Sequence, residues 1–117
     1  MATLAFHTPQ VGQHELQRHS LTMAQGIIES NLNPKAKGSC GERGAWQVLE
    51  KEWGKVPKTL VGQARQAEKI LNTLLVENKN NLFESLIKYN SFKNRAKGKK
   101  YAIKVCKKAL ELTIIGV

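Results

Sequence analysis

Apolar positions recur every three to four residues over most of the chain, and that period predicts helices. From His14 onward, Leu16, Leu21, Ala24, Ile27 and Ile28 mark one face of a helix that runs into Glu29. Asn33-Pro34 stops it, because a residue preceding proline disfavours helical dihedrals. Residues 35–43 hold Gly38 and Gly41 among polar neighbours and read as a loop. Gly44 to Trp53 reads as a short helix with Ala45, Val48 and Leu49 facing inward, ended by Gly54. Pro57 introduces a longer one, where Leu60, Val61, Ala64, Ala67, Leu71, Leu74 and Leu75 keep 3.6-residue spacing. Asn81 followed by Glu84 suggests a capping box for a helix carrying Leu82, Phe83, Leu86 and Ile87. A basic loop with Gly98 then precedes a last helix burying Tyr101, Val105, Ala109 and Leu110. Residues 1–13 show no sustained period and read as an arm ahead of one domain over 14–117. No segment alternates long enough to make a strand of useful length. The expected fold is mainly α, a small single domain of about five to six helices.

Length and composition keep that picture and narrow it. A chain of 117 residues has room for one core. Its 41% hydrophobic content makes it globular rather than disordered. No apolar run approaches the roughly 20 residues that cross a bilayer. The N-terminus shows no basic, apolar and small-residue tripartite pattern, so no signal peptide is visible. The net charge is +10, and nine of the 19 basic residues fall within 88–108 with no acid among them. That stretch is either a solvated helical face or a surface for a polyanion, such as an anionic envelope or nucleic acid. Cys40 and Cys106 could pair in an oxidising space, but two well-separated thiols without a signal peptide more often stay free.

The acids are unusual in that all nine are glutamates. Any reaction that needs two carboxylates must therefore use Glu with Glu. Aspartate is absent, so a Ser/His/Asp set is excluded, and there is neither a Gly-rich phosphate loop nor a C-x-x-C pair. His14-Glu15-Leu16-Gln17-Arg18-His19 is one residue too long for H-E-x-x-H, so its histidines miss the shared helix face that zinc needs. No metal and no organic cofactor is called for. Glu29 closes an apolar helical stretch at a loop mouth. By itself it is an ordinary glutamate at a helix end, or else a carboxyl poised by partial burial to stay protonated near neutral pH.

Its surroundings distinguish these readings. Glu29-Ser30, Asn33-Pro34, Ala36, Gly41, Gly44 and Gln47 follow, without a gap, a pattern that resembles the soluble lytic transglycosylase family, roughly E-S-x-x-N-P-x-A-x-S-x-x-G-A-x-G-L-x-Q. Lys88-Tyr89-Asn90-Ser91 is similar to the family's Y-N-[AS]-G motif, with Phe92 in place of its glycine. Tyr101-Ala102-Ile103-Lys104-Val105 is similar to its later Y-[AV]-x-x-V segment. Tyr89 comes 60 residues after Glu29 and follows a long helix, as that order requires.

The resemblance implies a lysozyme-like domain that cleaves peptidoglycan between N-acetylmuramic acid and N-acetylglucosamine and leaves a 1,6-anhydro end. Glu29 would serve as both acid and base, with Ser30, Gln47, Leu49, Tyr89, Asn90 and Tyr101 in the substrate cleft. For Tyr101, core packing and cleft lining remain equal alternatives. Trp46 and Trp53 are expected as core anchors more than as sugar platforms. The family's loop serine aligns with Gly38, and Ser39 lies one place later. Glu42 stands where the family has a small residue. It is a possible second carboxylate for hydrolysis, or a surface residue kept ionised by its neighbour Arg43. The implied partner is the glycan strand, with an anionic envelope surface along 88–108 and no role for nucleic acid. Such an enzyme acts in the periplasm or at the cell wall, reached in a virion, on lysis or by a dedicated exporter. A non-enzymatic module, a lysozyme-like scaffold or small basic protein that binds DNA or a structural partner, is the alternative class. The sequence sets no oligomeric state.

Overall fold

Helices form where the 3.6-residue period is strong, and their starts are fixed by polar side chains that complete the backbone. The computed structural model describes residues 9–91 and 93–115, with side chains from Arg18 onward. Among these residues there are five helices: α1 (Pro9–Ser30), α2 (Glu50–Trp53), α3 (Leu60–Glu77), α4 (Leu82–Asn90) and α5 (Arg95–Ile114). Thr59, Asn81 and Asn94 cap α3, α4 and α5. Their side-chain oxygens accept from the amides of Gly62, Glu84 and Lys97, each at 3.0 Å. The domain is mainly α, as its periodicity predicts.

Several boundaries differ from expectation, each for a physical reason. α1 begins at Pro9 rather than His14, since the fixed φ of proline suits a first helical position. Residues 1–8 of the expected arm, and the side chain of Leu16, lie outside the described residues. The segment from Gly44 to Trp53 is not one helix. Glu42–Arg43 (β1) and Val48–Leu49 (β2) pair antiparallel around a turn, and only Glu50–Trp53 is helical. Gln47 takes φ 49° in that turn, which a helix would forbid. Gly98 lies inside α5, not in a loop. A Cβ there would sit 2.7 Å from Ile87 Cγ2 and 2.8 Å from the Ile87 carbonyl, so the α4–α5 crossing needs a bare backbone.

The core has two parts. One joins α1, α4 and α5 through Leu21, Ala24, Leu86, Ile87, Tyr101, Ala102, Val105 and Leu112, with Leu71 from α3. The other packs the hairpin on α3 through Ala45, Trp46, Val48, Ala67, Ile70 and Leu74. Tyr89 touches both. Leu60, Val61, Leu82, Phe83 and Leu110 face solvent instead of the expected core. Leu112 is buried where Leu110 was expected, and Gln63 lies on the inner face of α3.

Candidate active site

The site is assembled where α1 stops. After Ser30 the chain turns left-handed at Asn31 (φ 57°) and Leu32 (φ 61°). The amides of Asn31 and Leu32 bond back to the carbonyls of Ile27 and Gly26 at 2.8 and 3.1 Å. A branched residue seldom accepts that conformation. Here it lets Leu32 pack against Gly26, where any Cβ would meet Leu32 at 2.5 Å and the Trp46 ring at 2.8 Å. Gly26 therefore brings the hairpin against α1 one turn before Glu29. Trp46 is buried and donates from Nε1 to the Thr22 carbonyl at 2.7 Å, so it is a core anchor as expected. Trp53 is half-buried against the same cluster.

Polar side chains hold the loops around this junction. Ser30 Oγ donates to the Ala45 carbonyl at 2.8 Å and accepts from the Asn33 amide at 2.9 Å. Its one donor is therefore committed to tying the helix end to the hairpin, which gives it a structural place in this cleft. Asn33 Oδ1 accepts from the Lys35 amide at 3.0 Å and tightens the Asn-Pro turn. Gln63, buried on α3, accepts from the Ala45 amide at 2.8 Å. It donates to the carbonyls of Pro34 and Pro57 at 3.0 and 2.8 Å. One amide thus joins three loop segments. The sequence shows it only as a polar residue within an apolar helical face.

Glu29 is half-buried at the end of α1. Burial pushes its carboxyl up to about 7, the nearby Glu42 charge adds to the rise, and a hydrogen bond from Tyr101 and the charge of Lys97 oppose it. Tyr101 is buried and accepts from Gln25 Nε2 at 3.2 Å while its own hydroxyl reaches Glu29. Gln25 thus holds the phenol whose hydroxyl acts on the Glu29 carboxyl. Tyr101 packs in the core, the first of its two alternatives, with its hydroxyl turned to Glu29. Burial, reinforced by the Glu29 charge, holds both Tyr101 and Tyr89 well above the usual phenol range, so both remain donors. Their rings stack with centroids 6.2 Å apart and planes 8° apart. Tyr89 donates to the Trp46 carbonyl at 3.1 Å, which links α4 to the hairpin turn.

The hairpin brings a second carboxylate near this junction. Glu42 and Leu49 are cross-strand partners, both half-buried. Arg43 does not neutralise the Glu42 carboxylate as expected. Its guanidinium reaches the Glu42 main-chain carbonyl at 2.9 Å, and the Glu42 carboxylate instead accepts from the Cys40 amide at 2.9 Å. A Cβ at Gly38 would lie 2.2 Å from Glu42 Oε1 and 2.5 Å from Gln47 Oε1. The two departures from the family pattern are therefore one: Glu42 fills the space that a side chain at 38 would need. Gln47 Nε2 donates to the Gly44 carbonyl at 3.0 Å, leaving its oxygen beside Glu42. Asn90 is half-buried with its Oδ1 unpartnered among the described residues, and Ser39 is exposed.

The structure thus gathers Glu29, Tyr89 and Tyr101 in one junction, with Glu42 near enough for its charge to act on Glu29. Gln25, Lys97 and Gln63 join them without having been singled out for the site by sequence. Cys40 and Cys106 are free thiols. Among the described residues no three His, Cys or Glu side chains are grouped as metal ligands, and no helix is long and apolar enough to cross a membrane. No protein-family model, curated protein or solved structure matches the chain.

Proposed function

We propose that this protein is a lytic transglycosylase that cleaves the β-1,4 bond between N-acetylmuramic acid and N-acetylglucosamine in peptidoglycan. What supports this reading is the placement of Glu29, a half-buried carboxyl at a loop mouth beside the buried Tyr101 hydroxyl, where burial raises its pKa to about 7. A group with that pKa is protonated often enough at neutral pH to act as an acid, and is basic enough afterwards to take a proton back. Glu29 gives its proton to the glycosidic oxygen, the C1–O bond breaks, and N-acetylglucosamine leaves with a new 4-hydroxyl. Positive charge then develops at the muramoyl C1. The Glu29 carboxylate removes the proton from the muramoyl 6-hydroxyl, whose oxygen closes on C1. The acid is regenerated and no water is consumed.

In this scheme Tyr101 orients the carboxyl and Tyr89 braces the hairpin turn against α4. Leu49, Gln47 and Asn90 line the approach of the sugars. Peptidoglycan lies outside the cytoplasmic membrane, so the enzyme acts there, after release on lysis, from a virion or through a dedicated exporter. A hydrolytic reading has one observation in its favour: Glu42 carries no ion pair among the described residues and its charge reaches Glu29. In that reading Glu42 would activate water and the products would carry reducing ends. Glu29→Gln tests the shared premise. Wall lysis should fall about 10²–10⁴-fold with the fold retained, whereas a folded variant of undiminished activity would remove Glu29 from the chemistry.

A further inference from the structure

α5 has two faces with different tasks. Its inner face buries Gly98, Tyr101, Ala102, Val105 and Leu112. At 3.6 residues per turn, the line through Ile103, Leu110 and Ile114 lies about 155° away from the middle of that face. All three are exposed, Leu110 at 62% and Ile114 at 75%. Lysines flank the line on both sides, with Lys99 on one and Lys100, Lys104 and Lys107 on the other, all exposed. None of these four makes an ion pair among the described residues. The basic neighbours that do so are Arg95 with Glu84 and Lys108 with Glu111. The outer face is therefore an apolar seam bordered by Lys99 on one side and by Lys100, Lys104 and Lys107 on the other, with Glu111 the one acid on that second side, and it runs about 16 Å from Ile103 to Ile114.

We infer that this face of α5 docks on an anionic lipid surface, with the lysines on the headgroups and Ile103, Leu110 and Ile114 dipping into the interface. The seam and the charge argue jointly for that occupant. A nucleic acid or an acidic polymer would use the lysines but has no place for three aliphatic side chains at the outermost line. A second copy would cover the seam but would set the lysine rows against their counterparts. A lipid interface takes both, since headgroup charge attracts the lysines and the acyl boundary accepts the aliphatic groups. This goes beyond glycan cleavage and does not depend on it. Because α5 also carries Tyr101, docking would hold the cleft close to the membrane face of the wall.

Vesicle co-sedimentation tests this with the full chain, using phosphatidylglycerol mixed equally with phosphatidylcholine, and phosphatidylcholine alone. The protein should bind the anionic vesicles and not the neutral ones. K99Q/K100Q/K104Q/K107Q should lose about 100-fold or more in affinity, each lysine near such a surface contributing roughly a factor of five. L110Q/I114Q should lose about tenfold. What binding it retains should vanish at raised salt, where the parent stays partly bound. Both variants change exposed positions, and circular dichroism checks that each is folded. Three results would each overturn the inference. The first is no binding to anionic vesicles at low salt. The second is L110Q/I114Q binding as tightly as the parent at every salt concentration while duplex DNA competes. The third is a dimer in light scattering that L110Q/I114Q makes monomeric. Glu29→Gln should bind vesicles like the parent, so failure of the glycosidase reading would be seen separately.

Discussion

The bundle of α1, α4 and α5 and the loop–hairpin segment 31–58 meet at Glu29, yet they are held by different forces. The bundle buries aliphatic and aromatic side chains, and its order follows from apolar area removed from water. The segment 31–58 also buries Ala45, Trp46 and Val48 on α3, but its loops are fixed by side-chain hydrogen bonds to the backbone, from Ser30, Gln63 and Tyr89. The bundle thus desolvates the carboxyl and supplies Tyr101. The segment brings the Glu42 charge near it. Substitutions in the two regions should therefore fail in different ways.

The largest separation is expected at Glu29 itself. Its folded pKa, about 7, stands above the ordinary 4.5. Folding is then fully supported below pH 4.5, and support is lost as pH rises through 7. Glu29→Gln should abolish lysis by about 10²–10⁴-fold, yet raise thermal stability at pH 8 by on the order of 2 kcal/mol and leave it unchanged at pH 4. Calorimetry at the two pH values reads this. A loss of stability at pH 8 would mean that the carboxyl is not held out of water.

Next in size is Gln63→Ala, which strips three hydrogen bonds from the loops and should cost about 3 kcal/mol. Amide exchange should rise across 31–58 while the central turns of α1 and α5 keep their protection. Uniform loss of protection would show that the two regions unfold as one and break the contrast. Tyr101→Phe removes the hydrogen bond that lowers the Glu29 pKa. Its alkaline limb of activity should move to higher pH, with turnover down about tenfold from lost orientation. An alkaline limb that stays put or moves down would exclude Tyr101 as the carboxyl's partner. The smallest effect is expected for Glu42→Gln. Removing a like charge should move the alkaline limb slightly lower and leave activity within a few-fold of the parent, as pH–rate profiles would show. Abolished activity would instead make Glu42 a participant.

The same contrast explains what the sequence revealed. Periodic apolar spacing marks α3 and α4, and the Asn81–Glu84 pair marks the start of α4, because burial and capping leave local signatures. Glu29 was legible through its flanking Ser30, Asn33-Pro34 and Gln47. The hairpin was not, because two-residue strands carry no alternation and Ala45, Val48 and Leu49 also fit a helix. Gly98 read as a loop because its reason for being glycine lies on Ile87, in another helix. Gln63 and Gln25 were hidden for a similar cause: their partners are 6 to 76 residues distant along the chain. The Glu42–Gly38 match is likewise a relation in space, and each residue alone looked like a mere departure.

Mass spectrometry of the muropeptides released from purified peptidoglycan separates the two chemistries, because 1,6-anhydro and reducing ends differ by one water. The parent protein should release 1,6-anhydromuramoyl products, Glu42→Gln the same products, and Glu29→Gln none. Predominantly reducing-end products, lost in Glu42→Gln, would contradict transglycosylation and make this a two-carboxylate hydrolase. No product from the parent, or equal product from Glu29→Gln, would contradict the assignment of Glu29 altogether.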